Sequence, residues 1–278
     1  MSNNIKLENE FIYVDIDISH GGKPVKIFDK KKNINWVWYN SDQQKYFNPK
    51  KYSDYDSQWI GGYEELYPND KVEIIEGNEA PDHGELWSSN WKIVNQSIES
   101  LEISTKGYFS KTLVNKKFKL TKNKLSVRYD LSEINLKKFL FKLHLALPIN
   151  NNKIYFTFER FKKVDNNFGN IVNSKNLNNF LSLINENQNS NDFLYFYGVD
   201  GKVHIQDRNG NKLKLTYDKE TLPYFWIFQS RGGWNNLNVN VLEPCNSGLK
   251  DIEDAYDQNM IYLPKSDRYK TWYTIEVN

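Results

Sequence analysis

Alternation of apolar and polar side chains is the dominant pattern along this chain. Residues 11–19 (FIYVDIDIS) alternate strictly, and apolar runs at 20–28 and 33–40 follow across turn-forming residues. These three runs predict an opening meander in which Asp15 and Asp17 face water. Almost no segment keeps a 3.6-residue apolar repeat over three turns, so the sequence predicts an all-β fold.

Later segments extend the same pattern. Strands are predicted from Ser97 onward, from Lys111 onward and over 139–149. Hairpin turns are predicted at residues 121–124, 199–201 and 209–210, where glycine, asparagine or aspartate interrupts the alternation.

Two regions break the alternation. Residues 41–90 combine many aromatic and acidic side chains with little periodicity, which predicts long ordered loops of the kind that commonly bind ligands on a β scaffold. Residues 165–192 are rich in asparagine and predict either one short helix or a surface excursion. The chain has no fixed-period repeat and no Pro- or Ser-rich linker, so we expect a single domain over residues 1–278.

Composition excludes several classes of protein. The net charge of +2 gives no basic face for nucleic acid, and no run approaches the roughly 18 apolar residues of a membrane helix. A lone cysteine, Cys245, and an N-terminus without an apolar signal block predict a cytoplasmic protein. Aromatic residues make up 15% of the chain, and they include 8 tryptophans.

The chain has four histidines, and three of them lie in polar surroundings. The contexts of His20 and His204 favour structural or solvated roles. His83 has a carboxylate on each side in APDHGELW, and such flanks can hold an imidazole in one tautomer for proton transfer. A histidine that only orders its loop is an equally good interpretation of that segment.

His144 lies at an alternating position of an apolar strand, in FLFKLHLAL. Its ring must be satisfied in the core or point into a cleft, and the first is the more frequent case. No HxH, HExxH or Cys-His spacing predicts a metal site, and no G-x-S-x-G elbow or phosphate-binding glycine loop is present. We therefore predict no metal site.

Acidic and aromatic side chains occur together in two places. Residues 59–70 (WIGGYEELYPND) form one such segment, and Glu243 ends an apolar strand just before Pro244. Sugars present one apolar C–H face to an indole ring and a rim of hydroxyls to polar groups, so this combination favours a sugar site. Core filling remains the more frequent role for any one tryptophan. The tryptophans in or beside these segments are Trp59, Trp87, Trp91, Trp226 and Trp234.

The order of these motifs resembles the aldose 1-epimerase (galactose mutarotase) superfamily, in particular its divergent mutarotase-like branch. The resemblance runs from about residue 11 to 277. It rests on HGGKPVKIFDKKKNINWVW at 20–38, GGYEELYPND at 61–70, APDHGELWSSNW at 80–91, HLALP at 144–148, LEPCNSG at 242–248 and LPKSDRYKTWYTIEV at 263–277. It implies a single-domain β-supersandwich with a sugar-binding cleft and catalysis without a cofactor.

The resemblance also implies roles for individual residues. Glu243 is expected to be the general base for the anomeric hydroxyl, and His144 the general acid for the ring oxygen. His83 is expected to hydrogen-bond the same end of the sugar. The expected substrate-binding residues are Glu65, Asp82, Trp87, Arg231 and Trp234.

The sequence departs from the family where an arginine normally precedes the first histidine, since Tyr63-Glu64-Glu65 stands there. Arg231, Trp234 and Glu65 are candidates to replace the missing contacts. The expected partner is a small sugar, bound by a monomer or homodimer. Two other interpretations stay open: a carbohydrate-binding protein without turnover, and a structural β-sandwich whose aromatic residues only fill the core.

Overall fold

The structure is a computed structural model that describes residues 4–42, 49–149, 153–164, 171–173 and 189–278. Nearly all of its regular structure is β-strand, which confirms the predicted all-β class. The strands are β1 (Asn4–Glu8), β2 (Ile12–Asp17), β3 (Lys23–Asp29), β4 (Ile34–Asn35), β5 (Tyr63–Leu66), β6 (Ile74–Ile75), β7 (Asn78–Glu79), β8 (Lys92–Gln96), β9 (Ser100–Lys106), β10 (Leu113–Thr121), β11 (Lys124–Ser132), β12 (Lys142–Pro148), β13 (Lys153–Tyr155), β14 (Arg160–Val164), β15 (Ile171–Asn173), β16 (Ser190–Tyr197), β17 (Lys202–Gln206), β18 (Lys212–Tyr217), β19 (Tyr224–Arg231), β20 (Asn238–Cys245) and β21 (Tyr269–Val277). The described residues also form two short helices, α1 (Tyr55–Gln58) and α2 (Ile252–Asp257).

The strands form two large sheets and two small ones. The eight-stranded sheet has the order β13-β17-β18-β21-β11-β10-β9-β8, and the seven-stranded sheet has the order β15-β14-β16-β19-β20-β12-β5. Strands β1 to β4 form a separate sheet in sequence order, which confirms the predicted meander, and β6 pairs with β7. One continuous hydrophobic core joins side chains from the four-, eight- and seven-stranded sheets.

Side-chain alternation explains how the eight-stranded sheet covers this core. In β21, Tyr273 and Ile275 are buried, whereas Trp272 and Glu276 point away from the core. Strand β10 alternates in the same way and buries Phe118 and Leu120. Burying one large apolar side chain stabilises a fold by about 1.5–3 kcal/mol, so the repeated inward positions hold the sheets together.

Strand β12 is buried on both faces. Leu143 and Leu145 belong to the hydrophobic core between the sheets, whereas Lys142, His144 and Ala146 lie on the opposite face. The strand therefore reads as a nearly continuous apolar run with two polar exceptions. Both exceptions face away from the core.

Two of the local predictions are wrong, and two are confirmed. Asp17 was expected to face water but is fully buried, where it accepts a hydrogen bond from the Ser19 amide and contacts His20. The turn at 199–201 is not a hairpin, because β16 before it and β17 after it belong to different sheets. The hairpins at 121–124 and 209–210 are confirmed by the β10–β11 and β17–β18 pairings.

The two irregular regions differ in outcome. The loop-rich interpretation of 41–90 missed β5, which is an edge strand of the seven-stranded sheet. Most of the segment 165–192, for which a short helix or surface excursion was predicted, lies outside the described residues. In the described part of the chain, no helix has the length and apolar character that crossing a membrane requires.

Candidate active site

A cavity of about 260 Å³ lies on the face of the seven-stranded sheet that points away from the hydrophobic core. Strands β12, β19 and β20 supply its floor, and helix α1 and the loops around residues 70, 83 and 234 supply its walls. The lining residues are Tyr55, Asp56, Trp59, Asp70, Lys71, His83, Lys142, His144, Phe193, Phe228, Trp234, Val241, Glu243 and Lys250.

Strand pairing sets the order of the polar side chains on this floor. His144 of β12 lies opposite Glu64 of β5. On the other side, β12 pairs with β20 in a register that includes Lys142–Cys245 and Leu145–Leu242, which brings Glu243 beside His144. Because side chains on one face of a sheet form rows across neighbouring strands, this pairing places His144 between two carboxylates.

The first half of the polar network joins His144 to a lysine and two acids. His144 Nε2 lies 3.1 Å from Glu243 Oε1, and Lys142 Nζ lies 2.7 Å from Glu243 Oε2. Lys142 Nζ also lies 2.5 Å from Asp70 Oδ1. These side chains are nearly inaccessible to solvent, and Glu243 is only 1% exposed.

The second half of the network lies on the other side of the imidazole. His144 Nδ1 is 2.8 Å from the Tyr55 hydroxyl, which lies 2.5 Å from Glu64 Oε1. The indole of Trp59 donates to the same Glu64 oxygen at 3.0 Å, and Lys23 donates to Glu64 Oε2 at 2.5 Å. A continuous chain of polar contacts therefore runs from Lys23 through His144 to Lys142.

Opposite charges stabilise the ionised forms of the groups around the imidazole. Burial alone would lower the pKa of His144, but the adjacent Glu243 and Glu64 carboxylates raise it above its ordinary value. Burial would raise the pKa of Glu64, yet Lys23 and His144 lower it to about 2. The imidazole therefore favours its protonated form.

The same balance applies at the lysine end. Burial opposes ionisation of Glu243, but Lys142 and His144 hold its pKa below the usual range. Asp70 likewise has a lowered pKa because Lys142 outweighs its burial. Burial would lower the pKa of Lys142, but Asp70 and Glu243 raise it. Both carboxylates thus lie beside the cavity in their charged forms at neutral pH.

Aromatic rings form one continuous wall of the cavity. The ring centroids of Trp59 and Trp234 are 5.4 Å apart, and Trp234 packs edge-on against Phe228 at 5.5 Å. Phe228 in turn contacts Phe193 at 6.0 Å. Such a wall beside charged groups suits a ligand with one apolar face and several polar substituents.

His83 reaches the cavity from a tight turn. It has a positive φ of 54°, and its Nδ1 lies 2.8 Å from Asp82 Oδ1. The other Asp82 oxygen accepts a hydrogen bond from the Tyr55 amide at 2.9 Å. The His83 ring stacks on Tyr55 with a centroid distance of 4.0 Å. A Cβ on the next residue, Gly84, would lie 2.2 Å from the Tyr67 carbonyl oxygen, so the turn requires glycine.

The structure brings four of the predicted residues to the cavity: His83, His144, Glu243 and Trp234. Asp82 lies behind His83 and contacts both His83 and helix α1. Trp87 does not line the cavity: it is 2% exposed, and its indole N–H bonds to the carbonyls of Asp82 and Gly84. It supports Tyr55 from beneath, edge-on at 5.1 Å.

Glu65 and Arg231 are not brought to the cavity. Glu65 points to the core side of β5, where it pairs with Lys116 at 2.5 Å and accepts from the Tyr129 hydroxyl at 3.0 Å. The predicted sugar contact does not fit this placement, because strand alternation sends Glu65 and Glu64 to opposite faces. Arg231 lies at the end of β19, outside the set of cavity-lining residues.

Three important site residues were missed by sequence reasoning. Lys142 had a usable signal, since it stands two residues before His144 and so shares its face of the strand. Glu64 could not be chosen over Glu65 without the phase of β5. Tyr55 enters from helix α1, a four-residue element capped by Asp54 that no periodicity could reveal.

The chemistry available at this site is proton transfer. An imidazole with a raised pKa and a carboxylate with a lowered pKa lie next to each other on the cavity floor, so the protonated ring can donate a proton while the carboxylate accepts one. In the described ranges, no group of three or more His, Cys, Asp or Glu side chains is arranged to hold a metal ion.

The sequence matches no protein-family model and no curated protein. The fold does match solved structures. A candidate aldose 1-epimerase from Escherichia coli K12 superposes with a TM-score of 0.76 at 15% identity, over 100% of this chain and 99% of that one. A galactose mutarotase-like protein from Lactobacillus casei gives 0.73 at 14% identity, covering 99% and 100% of the two chains.

A second galactose mutarotase-like protein, from Clostridium acetobutylicum, also gives a TM-score of 0.73, at 13% identity over 99% of this chain and 95% of that one. The chain therefore has the galactose mutarotase-like fold, and the expected resemblance is confirmed at the level of fold. The low identities agree with a divergent sequence.

Proposed function

We propose that this protein is an aldose 1-epimerase-like isomerase that interconverts the α and β anomers of a free hexose or a related sugar. The proposal assigns Glu243 as general base and His144 as general acid. His83 is proposed to hydrogen-bond the reacting end of the sugar, and Trp234 to pack against its apolar face. The fold of the matched mutarotase-like proteins supports this choice.

The observation that carries the proposal is the 3.1 Å contact between His144 Nε2 and Glu243 Oε1 on the cavity floor. In a cyclic aldose, the anomeric hydroxyl and the ring oxygen are bonded to the same carbon. Acid and base must therefore be immediate neighbours to act on both oxygens. A sugar that enters with its anomeric carbon at this contact meets both groups at once.

The proposed steps balance in protons and bonds. Glu243 takes the proton of the anomeric hydroxyl while His144 protonates the ring oxygen, and the bond between the anomeric carbon and the ring oxygen breaks. The open-chain aldehyde turns about its bond to C2. In the reverse step, the new hydroxyl on the ring-oxygen side returns its proton to His144, and Glu243 protonates the carbonyl oxygen as the ring closes on the other face.

One observation favours a second function, sugar binding without turnover. Lys142 and His144 lower the pKa of Glu243, and a carboxylate stabilised in its charged form accepts a proton less readily. In that case the same cavity would bind a sugar through its aromatic wall and polar floor without accelerating anomer exchange.

Polarimetry or anomer-resolved NMR on a panel of free aldoses tests the proposal. The protein is expected to accelerate equilibration of at least one aldose over the buffer rate, and Glu243→Gln is expected to remove that acceleration. The matched control is Glu276→Gln, the same change on β21 of the eight-stranded sheet, where Glu276 forms an ion pair with Lys124 at 3.4 Å.

Three results separate the possibilities. Acceleration that survives in Glu276→Gln and is lost in Glu243→Gln supports the isomerase. Saturable sugar binding without acceleration, retained in Glu243→Gln, supports the binding protein. A protein that neither accelerates the equilibration of any aldose in the panel nor binds one would contradict both functions.

A further inference from the structure

The hydroxyl of Tyr55 and the carboxylate of Glu64 define a second set of contacts to His144, on the side of the ring that faces away from Glu243. We propose that these two residues are positioning residues that hold a proton permanently on His144 Nδ1, which makes Nε2 the only nitrogen that exchanges protons with substrate. This inference rests on the proposed function for its catalytic meaning. Its central claim, the tautomer of His144, concerns the protein alone.

Glu64 can only accept hydrogen bonds. Its Oε2 accepts from Lys23 Nζ at 2.5 Å, and its Oε1 accepts from the Trp59 indole at 3.0 Å. The ammonium partner keeps the carboxylate ionised, and an ionised carboxylate has no proton to donate. The side chain is 1% exposed, so water has almost no access to it.

Tyr55 then has only one way to orient its hydroxyl. The Tyr55 oxygen lies 2.5 Å from Glu64 Oε1, and this short distance requires a hydrogen between them because two bare oxygens would repel. The only hydrogen available is the phenolic one, which therefore points to Glu64. Tyr55 is buried and its pKa is raised well above the ordinary value by burial and by the Glu64 charge, so the phenol keeps this hydrogen.

The orientation of Tyr55 fixes His144. A hydroxyl has a single hydrogen, so the Tyr55 oxygen can only accept from the nitrogen that lies 2.8 Å away, His144 Nδ1. His144 Nδ1 must therefore carry a hydrogen whether the ring is neutral or charged. The titrating position is Nε2, which lies 3.1 Å from Glu243 on the cavity floor.

The remaining charged groups around the ring agree with this assignment. Lys142 shares β12 with His144 and binds Glu243 and Asp70. On the wall formed by α1 and the loop at residue 83, Asp56 and His83 line the same cavity. Among the described residues, His144 Nδ1 lies 2.8 Å from the Tyr55 hydroxyl and 3.9 Å from Glu64 Oε1, and an ionised carboxylate at that position also favours a hydrogen on Nδ1.

NMR of the histidine rings tests the tautomer without any sugar. Two-bond proton–nitrogen correlation spectra of isotope-labelled protein distinguish the Nδ1–H from the Nε2–H form at a pH where the ring is neutral. His20→Gln, His83→Gln and His204→Gln each remove one set of signals, which assigns His144 among the four histidines by elimination. The Nδ1–H form is expected for His144, and the Nε2–H form would overturn the proposal.

Tyr55→Phe tests the link to catalysis. Phenylalanine keeps the stacking on His83 and the edge contact with Trp87 but removes the acceptor for Nδ1–H. We expect the tautomer to shift toward Nε2–H and the pKa of His144 to fall. For an aldose that the wild-type protein equilibrates, we expect kcat to fall by about tenfold or more, with KM changed by less than about threefold, because a neutral imidazole that carries its hydrogen on Nε2 cannot accept the sugar hydroxyl proton there when the ring closes.

The matched control is Tyr63→Phe. Tyr63 lies next to Glu64 on β5, but its side chain points to the core side, where its hydroxyl bonds to the Trp36 carbonyl at 3.3 Å. This variant should keep the wild-type tautomer, pH profile and kcat. Equal losses in the two variants would show that Tyr55 acts only through stability.

The two proposals fail separately. If His144 shows the Nδ1–H tautomer but the protein equilibrates no aldose, the positioning network is supported and the isomerase function is contradicted. If the protein equilibrates an aldose while His144 is in the Nε2–H form, the isomerase function is supported and the positioning network is contradicted.

Discussion

Two neighbouring glutamates of β5 show how one strand serves both the scaffold and the site. Glu65 points into the interior between the sheets, where it meets Lys116 at 2.5 Å and the Tyr129 hydroxyl at 3.0 Å. Glu64 points the other way and meets Lys23, Tyr55 and the indole of Trp59 beside the cavity. Both carboxylates are at most 1% exposed, so burial alone does not distinguish them.

The pKa values of the two glutamates shift in opposite directions. On the core side burial dominates: it raises the pKa of Glu65 and lowers that of Lys116, which moves both groups toward their neutral forms. On the cavity side the opposite charges outweigh burial, which lowers the pKa of Glu64 and raises that of His144.

The number of opposite charges that each carboxylate faces explains this difference. The core pair consists of one anion and one cation, and the cation is completed by two backbone carbonyls, those of Gly21 and Gly22. In the cavity network Glu64 faces both Lys23 and His144, and Glu243 faces both Lys142 and His144, so each carboxylate gains more from staying ionised. A network that keeps its charges at neutral pH is suited to proton transfer, whereas an isolated buried pair serves mainly to position the sheets.

The largest effect should come from removing the imidazole of the cavity network. His144→Gln is expected to lower kcat for a responsive aldose by about 10²–10⁴-fold, the usual contribution of a general acid or base. The control His204→Gln changes an exposed histidine of β17 and should leave kcat unchanged. Polarimetry measures both variants, and a comparable loss in the control would contradict the division between scaffold and site.

The core pair should instead control stability. Lys116→Met leaves the buried Glu65 without its cation, and breaking a buried ion pair in this way costs about 3–5 kcal/mol of unfolding free energy. Denaturant unfolding measures the loss, and the activity of the folded fraction should stay close to that of the wild type.

A double variant sharpens this test. Lys116→Met combined with Glu65→Gln removes both charges and should recover most of the lost stability, because the amide can still accept from Tyr129. A double variant no more stable than Lys116→Met alone would show that the lysine acts through its contacts with the carbonyls of Gly21 and Gly22 and the Trp91 ring.

The contrast between Glu64 and Glu65 also marks the limit of sequence reasoning. The all-β class could be predicted from alternation, and His83, His144 and Glu243 could be chosen as site candidates from the resemblance of their motifs to the mutarotase-like family; the structure brings the three side chains to one cavity. The face of β5 on which each glutamate lies could not be predicted. Four residues in a loop-like segment give no reliable phase for the alternation, and an error of one residue exchanges the two faces.

Long-range pairing hides the remaining partners. Lys23 and Glu64 lie 41 residues apart, and Tyr55 and His144 lie 89 apart, so no local pattern links them. The prediction that Asp17 faces water is wrong for a related reason. Strict alternation in β2 predicts an exposed position for Asp17, but the turn after β2 buries its side chain against His20. In each case a polar contact distant in sequence or set by a turn overrides the binary pattern.

Activity should depend on pH in a way that reports the cavity network alone. The proposed reaction requires protonated His144, whose pKa is raised, and ionised Glu243, whose pKa is lowered. The rate should therefore fall as pH rises through the raised pKa of His144 and as pH falls through the lowered pKa of Glu243, with a plateau between them. A profile of kcat/KM against pH measures both limits.

The core-side variant supplies the comparison for this profile. Lys116→Met should shift neither limit, because its charge lies on the opposite face of β5 from His144. Lys142→Met, by contrast, removes the cation beside Glu243 and should move the acidic limit to higher pH. Equal displacement of the limits in both variants would mean that the two faces are electrostatically coupled.

The smallest effect should come from the aromatic wall, which contributes binding but no proton transfer. Trp234→Ala removes a half-buried ring that packs on Trp59 and Phe228. Since an aromatic contact contributes about 0.5–1.5 kcal/mol beyond area burial, KM or the dissociation constant should rise by about twofold to tenfold while kcat changes little. The control Trp272→Ala removes an exposed tryptophan from the outer face of the eight-stranded sheet. Titration of each variant with a sugar should show weaker binding for Trp234→Ala and unchanged binding for Trp272→Ala. A loss of kcat without weaker binding in Trp234→Ala would show that this ring orients the acid or base rather than the sugar.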